Sequence, residues 1–182
     1  EAAWHSVDQT MQIKGGRGYE TESSLRDRGE TPDPVERMMR DCRINTIFEG
    51  STEIMKLFIA REALDPHLRR GAAAIDTRNP LSVRAKAGFK AGLHYAVWYP
   101  MRWLPSSKGI PSNMPASLKS NLRMISKYSR KLSRALFMSM VTQGPKLEKQ
   151  QLLLGRYVDI ASELFAMSTS VARVYAEGCD ER

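Results

Sequence analysis

Three features of the sequence predict an all-α fold. No period-2 alternation persists beyond a few residues, and no Asn-Gly or Asp-Gly hairpin turn occurs. Apolar residues recur instead at spacings of three and four. With 42% hydrophobic and 26% charged residues, the 182-residue chain can build the core of one or two domains and does not read as disordered.

The elements follow in order. The opening run Glu1-Ala2-Ala3-Trp4-His5-Ser6-Val7 reads as the inside of a helix rather than a signal peptide, and predicts a piece of a longer chain. Gly15-Gly16-Arg17-Gly18 follows that helical pattern, so it reads as a C-cap and turn and not as a strand-borne dinucleotide loop. It still leaves backbone N–H groups that another backbone or a phosphate can approach. The polar stretch Ser23 to Asp33, with Gly29 and Pro32, is expected to be an extended surface loop. Glu36, Arg37, Arg40, Asp41 and Arg43 stand at i, i+3 and i+4 spacings and would tie a short helix together by ion pairs.

Ile47-Phe48-Glu49-Gly50 puts a carboxylate between two bulky apolar residues and a glycine, just ahead of the N-cap hydroxyls Ser51 and Thr52. An acid in an apolar surround has a raised pKa and can act as a base near neutral pH, although a lone loop Glu is otherwise solvent-exposed. From Glu53, the residues Ile54, Leu57, Phe58, Ala60, Arg61 and Leu64 make one helical face, which Asp65-Pro66 is expected to end.

Leu81 to Leu104 reads as a short helix followed by Tyr95, Trp98, Tyr99, Met101 and Trp103, with Arg102 among the aromatics and Pro100 as a break. These aromatics suit either a lipid headgroup boundary or packing beneath neighbouring helices. Pro105 to Pro115 is a loop by composition. Two long helices follow. Leu118, Leu122, Ile125, Ser129, Leu132 and Leu136 form one seam, backed by Lys119, Arg123, Lys127, Arg130, Lys131 and Arg134. Leu153, Tyr157, Ile160, Leu164, Met167, Val171 and Val174 form the other, with Gly144-Pro145 as the turn, so an antiparallel helical hairpin is expected. The chain accordingly divides into residues 1–68, a basic linker 69–115 with a short aromatic helix, and a hairpin over 116–178.

The formal net charge is +8, and it is unevenly placed. Residues 77–147 carry 13 Lys or Arg and no Asp or Glu, while the segments on either side are net acidic. Such a block favours an anionic partner, or is a solvated helical face. No apolar run reaches the ~20 residues that a membrane span requires. Cys42 and Cys179 stand far apart without CxxC spacing, which argues against a disulfide scaffold or zinc module and fits a reducing compartment, and no metal site is readable.

Four motifs occur in order: Gln12 to Tyr19 as Gln-Ile-x-Gly-Gly-x-Gly-Tyr, Pro34 to Ile44 as Pro-x-Glu-Arg-x-x-Arg-Asp-x-Arg-Ile, Ile47 to Ile54 as Ile-Phe-Glu-Gly-Ser-x-x-Ile, and Ile59 to Glu62 as Ile-Ala-Arg-Glu. Together they resemble the C-terminal end of the acyl-CoA dehydrogenase family, and the basic middle and hairpin are similar to the extra C-terminal helical region of its very-long-chain members, which are peripheral membrane enzymes. The resemblance implies the last helices of a four-helix domain, FAD as cofactor, and an acyl-CoA thioester as substrate. It implies Glu49 as the base that removes the α-proton, Gly50 beside the thioester, and Ser51, Thr52 and Glu53 at a helix start facing the FAD. It implies Gln12, Ile13, Lys14, Gly15 and Gly16 against the FAD of a neighbouring subunit, hence a homodimer, with an electron-transfer flavoprotein or equivalent acceptor as redox partner.

Two departures stand out: Ser51 where Thr is usual, and the added length Ser23 to Asp33. The family's amino-terminal helical and middle β domains are absent from these residues, so this chain alone is expected neither to hold FAD nor to turn over substrate. The expected location is the cytoplasm, peripheral at the inner membrane face in a bacterium, or the mitochondrial matrix side in a eukaryote. The alternative function is a non-catalytic helical module that attaches to anionic membrane through residues 77–147; nucleic acid is not expected, because no binding motif accompanies the charge.

Overall fold

The computed structural model describes residues 2–48, 50–106 and 109–178. Among these the regular structure is entirely helical: α1 (Ala2–Lys14), α2 (Gly16–Tyr19), α3 (Glu22–Asp27), α4 (Val35–Ile44), α5 (Thr52–Ile75), α6 (Leu81–Met101), α7 (Ala116–Gln143), a 3-10 turn (Gly144–Lys149) and α8 (Gln151–Ala176). The all-α expectation holds. The chain forms two compact units that divide after Met55. The expected boundary after residue 68 instead falls inside α5.

In the first unit α1 and α4 pack against each other and run antiparallel. At one end the Arg43 guanidinium lies over the Trp4 ring, 5.5 Å from its centroid; at the other, Lys14 pairs with Asp33. The Glu36–Arg40 pair expected on α4 forms at 2.6 Å. Gly15, with φ +62°, ends α1 and lets α2 fold back. Gly18 is buried where a Cβ would lie 2.8 Å from the Met11 carbonyl oxygen, so only glycine permits that approach.

Residues 23–33 are not the extended loop their polarity suggests. Thr21 caps α3 by accepting from the Ser24 N–H at 3.3 Å. Leu25, the single large apolar residue in the stretch, is 2% exposed. Arg28 then reaches Glu20 at 2.9 Å and Glu30 at 3.3 Å. One buried leucine with a cap and a carboxylate clamp gives the segment a place in the unit.

In the second unit α5 continues through Pro66 for nine more residues instead of stopping there. Pro66 removes one helical hydrogen bond, and a mid-helix proline costs about 3 kcal/mol. Contacts on both sides of it offset that cost. Leu64 is buried, His67 Nδ1 lies 2.8 Å from the Tyr95 hydroxyl, and Arg70 Nη1 lies 2.6 Å from His94 Nε2. Pro100 likewise sits within α6, which is a 21-residue helix rather than a short one.

The hairpin is present, closed by the six-residue 3-10 turn rather than by Gly144-Pro145 alone. Its seam on α8 is rotated by one residue at the N-terminal end: Leu154 and Val158 are buried, while Ile160 is 47% exposed. The rotation has a cause in a third helix. Leu154 and Val158 form one core cluster with Ala60 and Leu64 of α5 and Leu147 of the 3-10 turn, and Leu136 and Met140 of α7 pack against it.

An aromatic cluster joins α5, α6 and α7. Phe137, 9% exposed, has ring centroids of His67 at 5.6 Å, Tyr95 at 4.6 Å, Trp98 at 5.4 Å and Tyr99 at 5.7 Å around it. Trp98 and Tyr99 therefore pack beneath the hairpin. Burial in this cluster, reinforced by Arg70, His94 and Arg102, holds the His67 pKa below its usual value of 6.5. Below pH 6.5 the unfolded chain takes up this proton more readily than the folded one, so stability is full above that pH and falls as pH drops toward the folded value. Thermal melts between pH 5 and 8 (~pH units spanning the imidazole range) are expected to show a fall at the acid end that is shallower in His67→Gln, which keeps a hydrogen-bonding side chain and does not titrate.

Candidate functional site

The residues singled out in the sequence fall in two places in the first unit. Gln12, Ile13 and Lys14 form the last turn of α1, and Gly15 and Gly16 lead into α2; all five are exposed, Ile13 at 85%. The Gly15 N–H donates to the Gln12 carbonyl at 3.2 Å and the Gly18 N–H to that of Gly15 at 3.0 Å, which closes the turn. Lys14 is held by Asp33.

The three glycines have different reasons to be glycine. Gly15 needs its positive φ, and Gly18 needs the space beside Met11. Gly16 needs neither: its φ is not positive, and a Cβ there would meet nothing within 4 Å. Its missing side chain leaves backbone open to an external group, as a flat cofactor surface or a phosphate would require.

The second place follows α4. Ile47 and Phe48 are 55% and 47% exposed. Glu49 lies outside the described residues. Gly50 has φ +103°, a conformation that favours glycine, so its identity is required by the chain itself as well as suiting close approach of a ligand. Ser51 and Thr52 are half-buried. The Ser51 carbonyl accepts from the Met55 N–H at 2.9 Å, which opens α5, and Glu53 stands in its first turn, where a carboxylate favours the positive end of the helix. The free N–H groups of that first turn suit an anion such as a pyrophosphate.

The two places follow opposite ends of the α1–α4 pair. Lys14 and Asp33 mark one end of the α1–α4 pair, Trp4 and Arg43 the other. Residues 12–16 lie at the first end, and the chain leaves α4 at the second, toward residues 47, 48 and 50–53. The ten residues of α4 put about 15 Å between those ends.

The second unit carries two arrangements that the sequence did not show, although several of their residues were named there. Phe89, Leu93, Val97 and Met101 recur every fourth residue along α6 and are 71%, 57%, 61% and 54% exposed. The opposite face of α6 holds Ala91, Tyr95 and Trp98 against the interior. The 89-93-97-101 recurrence was the available signal, hidden because the aromatics between these positions dominate the pattern. Beside the end of α6, Arg102, Arg123, Lys127, Arg130, Lys131 and Arg134 line a groove of about 660 Å³. Among the described residues no group of three or more His, Cys, Asp or Glu is placed to hold a metal ion, and no helix is long and apolar enough to cross a membrane.

A family model for the acyl-CoA dehydrogenase C-terminal domain matches residues 1–64. A protein of Mycobacterium tuberculosis named probable acyl-CoA dehydrogenase FadE10 is 47% identical over 177 residues, 93% of this chain and 26% of that protein. The human mitochondrial very long-chain specific acyl-CoA dehydrogenase is 26% identical over 174 residues, 95% of this chain and 25% of that protein. Its rat counterpart is 43% identical over 60 residues, 33% of this chain. The chain thus spans about a quarter of the length of the first two. No solved structure matches.

The glycine turn yields a differential expectation. Gly18→Ala forces a methyl against the Met11 carbonyl and should lower stability by about 1–3 kcal/mol in denaturant unfolding. Gly16→Ala, with open space around it, should leave the unfolding midpoint unchanged or raised slightly.

Proposed function

The chain belongs to the acyl-CoA dehydrogenase family, matching its C-terminal domain, and from that premise we propose that, as part of a longer polypeptide, it contributes the catalytic base and part of the flavin site of an enzyme that desaturates long or very-long-chain acyl-CoA in fatty acid β-oxidation. The observation that carries this reading is the family match over residues 1–64, which takes in both the Gly15-Gly16 turn and the 47–53 segment. FAD, when bound, accepts the β-hydrogen of the substrate as hydride.

The remaining roles belong to residues of this chain. The Glu49 carboxylate takes the α-proton of the thioester. Such a proton is weakly acidic, so the base works best where Ile47, Phe48 and the substrate's own acyl chain exclude water from it. Gly50, without a side chain, admits the thioester close to the backbone. Ser51, Thr52 and Glu53 begin α5, whose first N–H groups are donors for the cofactor's pyrophosphate.

Gln12, Ile13, Lys14, Gly15 and Gly16 contact a second FAD, held by a neighbouring subunit. The ~15 Å between the two ends of the α1–α4 pair supports this division. Each copy then serves two flavins, and a homodimer completes each site. An electron-transfer flavoprotein or equivalent acceptor would be the redox partner of the assembled enzyme.

The exposed stripe Phe89, Leu93, Val97 and Met101 favours a second reading for residues 77–147: attachment to an anionic membrane, which would place the enzyme peripherally at the inner face of a bacterial membrane or on the matrix side in a mitochondrion. A helix apolar on both faces has one face to bury elsewhere, and each Lys or Arg near anionic lipid adds about 1 kcal/mol. The same features would serve a non-catalytic membrane module.

Two measurements test these readings. In the full-length polypeptide, Glu49→Gln should retain flavin absorbance while the rate of acyl-CoA dehydrogenation falls at least about a hundredfold; a variant of undiminished rate would refute the base assignment. In sedimentation with vesicles, the chain should bind anionic in preference to neutral lipid, and Phe89→Ser with Leu93→Ser should weaken that binding at every salt concentration, since burying each such side chain is worth about 1.5–3 kcal/mol.

A further inference from the structure

We infer that the groove between the end of α6 and the basic face of α7 is a binding site for a phosphate oxyanion. Two of its six cations have structural work. Arg130 donates from Nη1 to the carbonyls of Met101, at 3.0 Å, and Leu104. Arg134 donates to the carbonyl of Arg102 and stacks on Trp103, its guanidinium carbon 3.8 Å from the ring centroid. Both cap the C-terminal end of α6, where free carbonyls and the helix dipole favour cations. Of the other four, Arg102 lies over the Trp98 ring and Lys127 over the Tyr128 ring, contacts that leave their charge unneutralised.

Arg123, Lys127 and Lys131 follow one another at i, i+4 and i+8 on α7 and face the same groove. Like charges at that spacing repel. None of the six groove cations forms an ion pair among the described residues, and no acidic residue occurs anywhere in 77–147. A solvated face would be expected to intersperse signs; here the repulsion is left uncompensated around a concave surface. Arg102 adds a second observation. Its guanidinium lies 4.9 Å from the Trp98 ring centroid, and its Nε is buried without a hydrogen-bond partner. That unpaired donor has a hydrogen bond to gain if the Arg102 side chain turns toward an oxyanion in the groove beside it.

The chemistry specifies the ligand class. Planar guanidinium forks suit tetrahedral oxyanions, and Trp103, Leu104 and Pro105 give the groove an apolar wall. The site therefore takes a phosphate mono- or diester carrying a short apolar portion, either as a free phosphorylated small molecule or as a phospholipid headgroup. It stands whether or not α6 lies on a membrane, because a soluble anion tests it without lipid.

Titration of the 182-residue chain with inorganic pyrophosphate at constant ionic strength should raise its melting temperature saturably. The triple variant Arg123→Gln, Lys127→Gln, Lys131→Gln, at three exposed positions, should lose at least about tenfold in affinity. A second variant, Arg102→Lys, keeps the charge, removes the orphaned Nε, and should also weaken binding. Vesicles containing phosphatidic acid separate the sources: if they bind with the same dependence on the triple variant while pyrophosphate does not, the site takes a headgroup. Equal stabilisation by chloride, or undiminished binding of both probes by the triple variant, would overturn the site.

Discussion

The ring of Phe137 is the contact on which the second unit depends. It comes from α7, yet it lies against His67 of α5 and against Tyr95, Trp98 and Tyr99 of α6. Aromatic pairs of this kind add about 0.5–1.5 kcal/mol each beyond their buried area, so the cluster pins all three helices at one point. Once α6 is fixed there, its last carbonyls lie within reach of Arg130 and Arg134. The cationic groove and the outward stripe of α6 are both consequences of how that one helix is rotated.

The first unit is governed by a different constraint, the close crossing at Gly18. Without a Cβ at that position, α2 can lie on the Met11 carbonyl, and the exposed turn at Gly15-Gly16 is presented at one end of the α1–α4 pair. The chain leaves α4 at the other end.

Much of this was legible beforehand. The 3–4 spacing identified the helical hairpin, the i,i+4 charges identified the Glu36–Arg40 pair, and the four ordered motifs pointed to the family. The readings that failed did so for want of partners. Pro66 reads as a stop because local hydrogen bonding is all a sequence displays, and the contacts of Leu64, His67 and Arg70 that carry α5 past it come from residues distant in the chain. Ser23 to Asp33 reads as loop because one leucine is a weak signal until something buries it. The seam of α8 shifts to Leu154 and Val158 because α5, and not only α7, lies against it.

The sequence by itself determined the helical class, the family resemblance and the segregation of charge, since each depends on residue type and spacing along one strand of chain. Only the tertiary structure decided which face of α6 looks inward, which glycines are demanded by the fold, and which cations are left without counter-charge. Those outcomes depend on distances between residues far apart in the chain, which close packing sets and linear order does not.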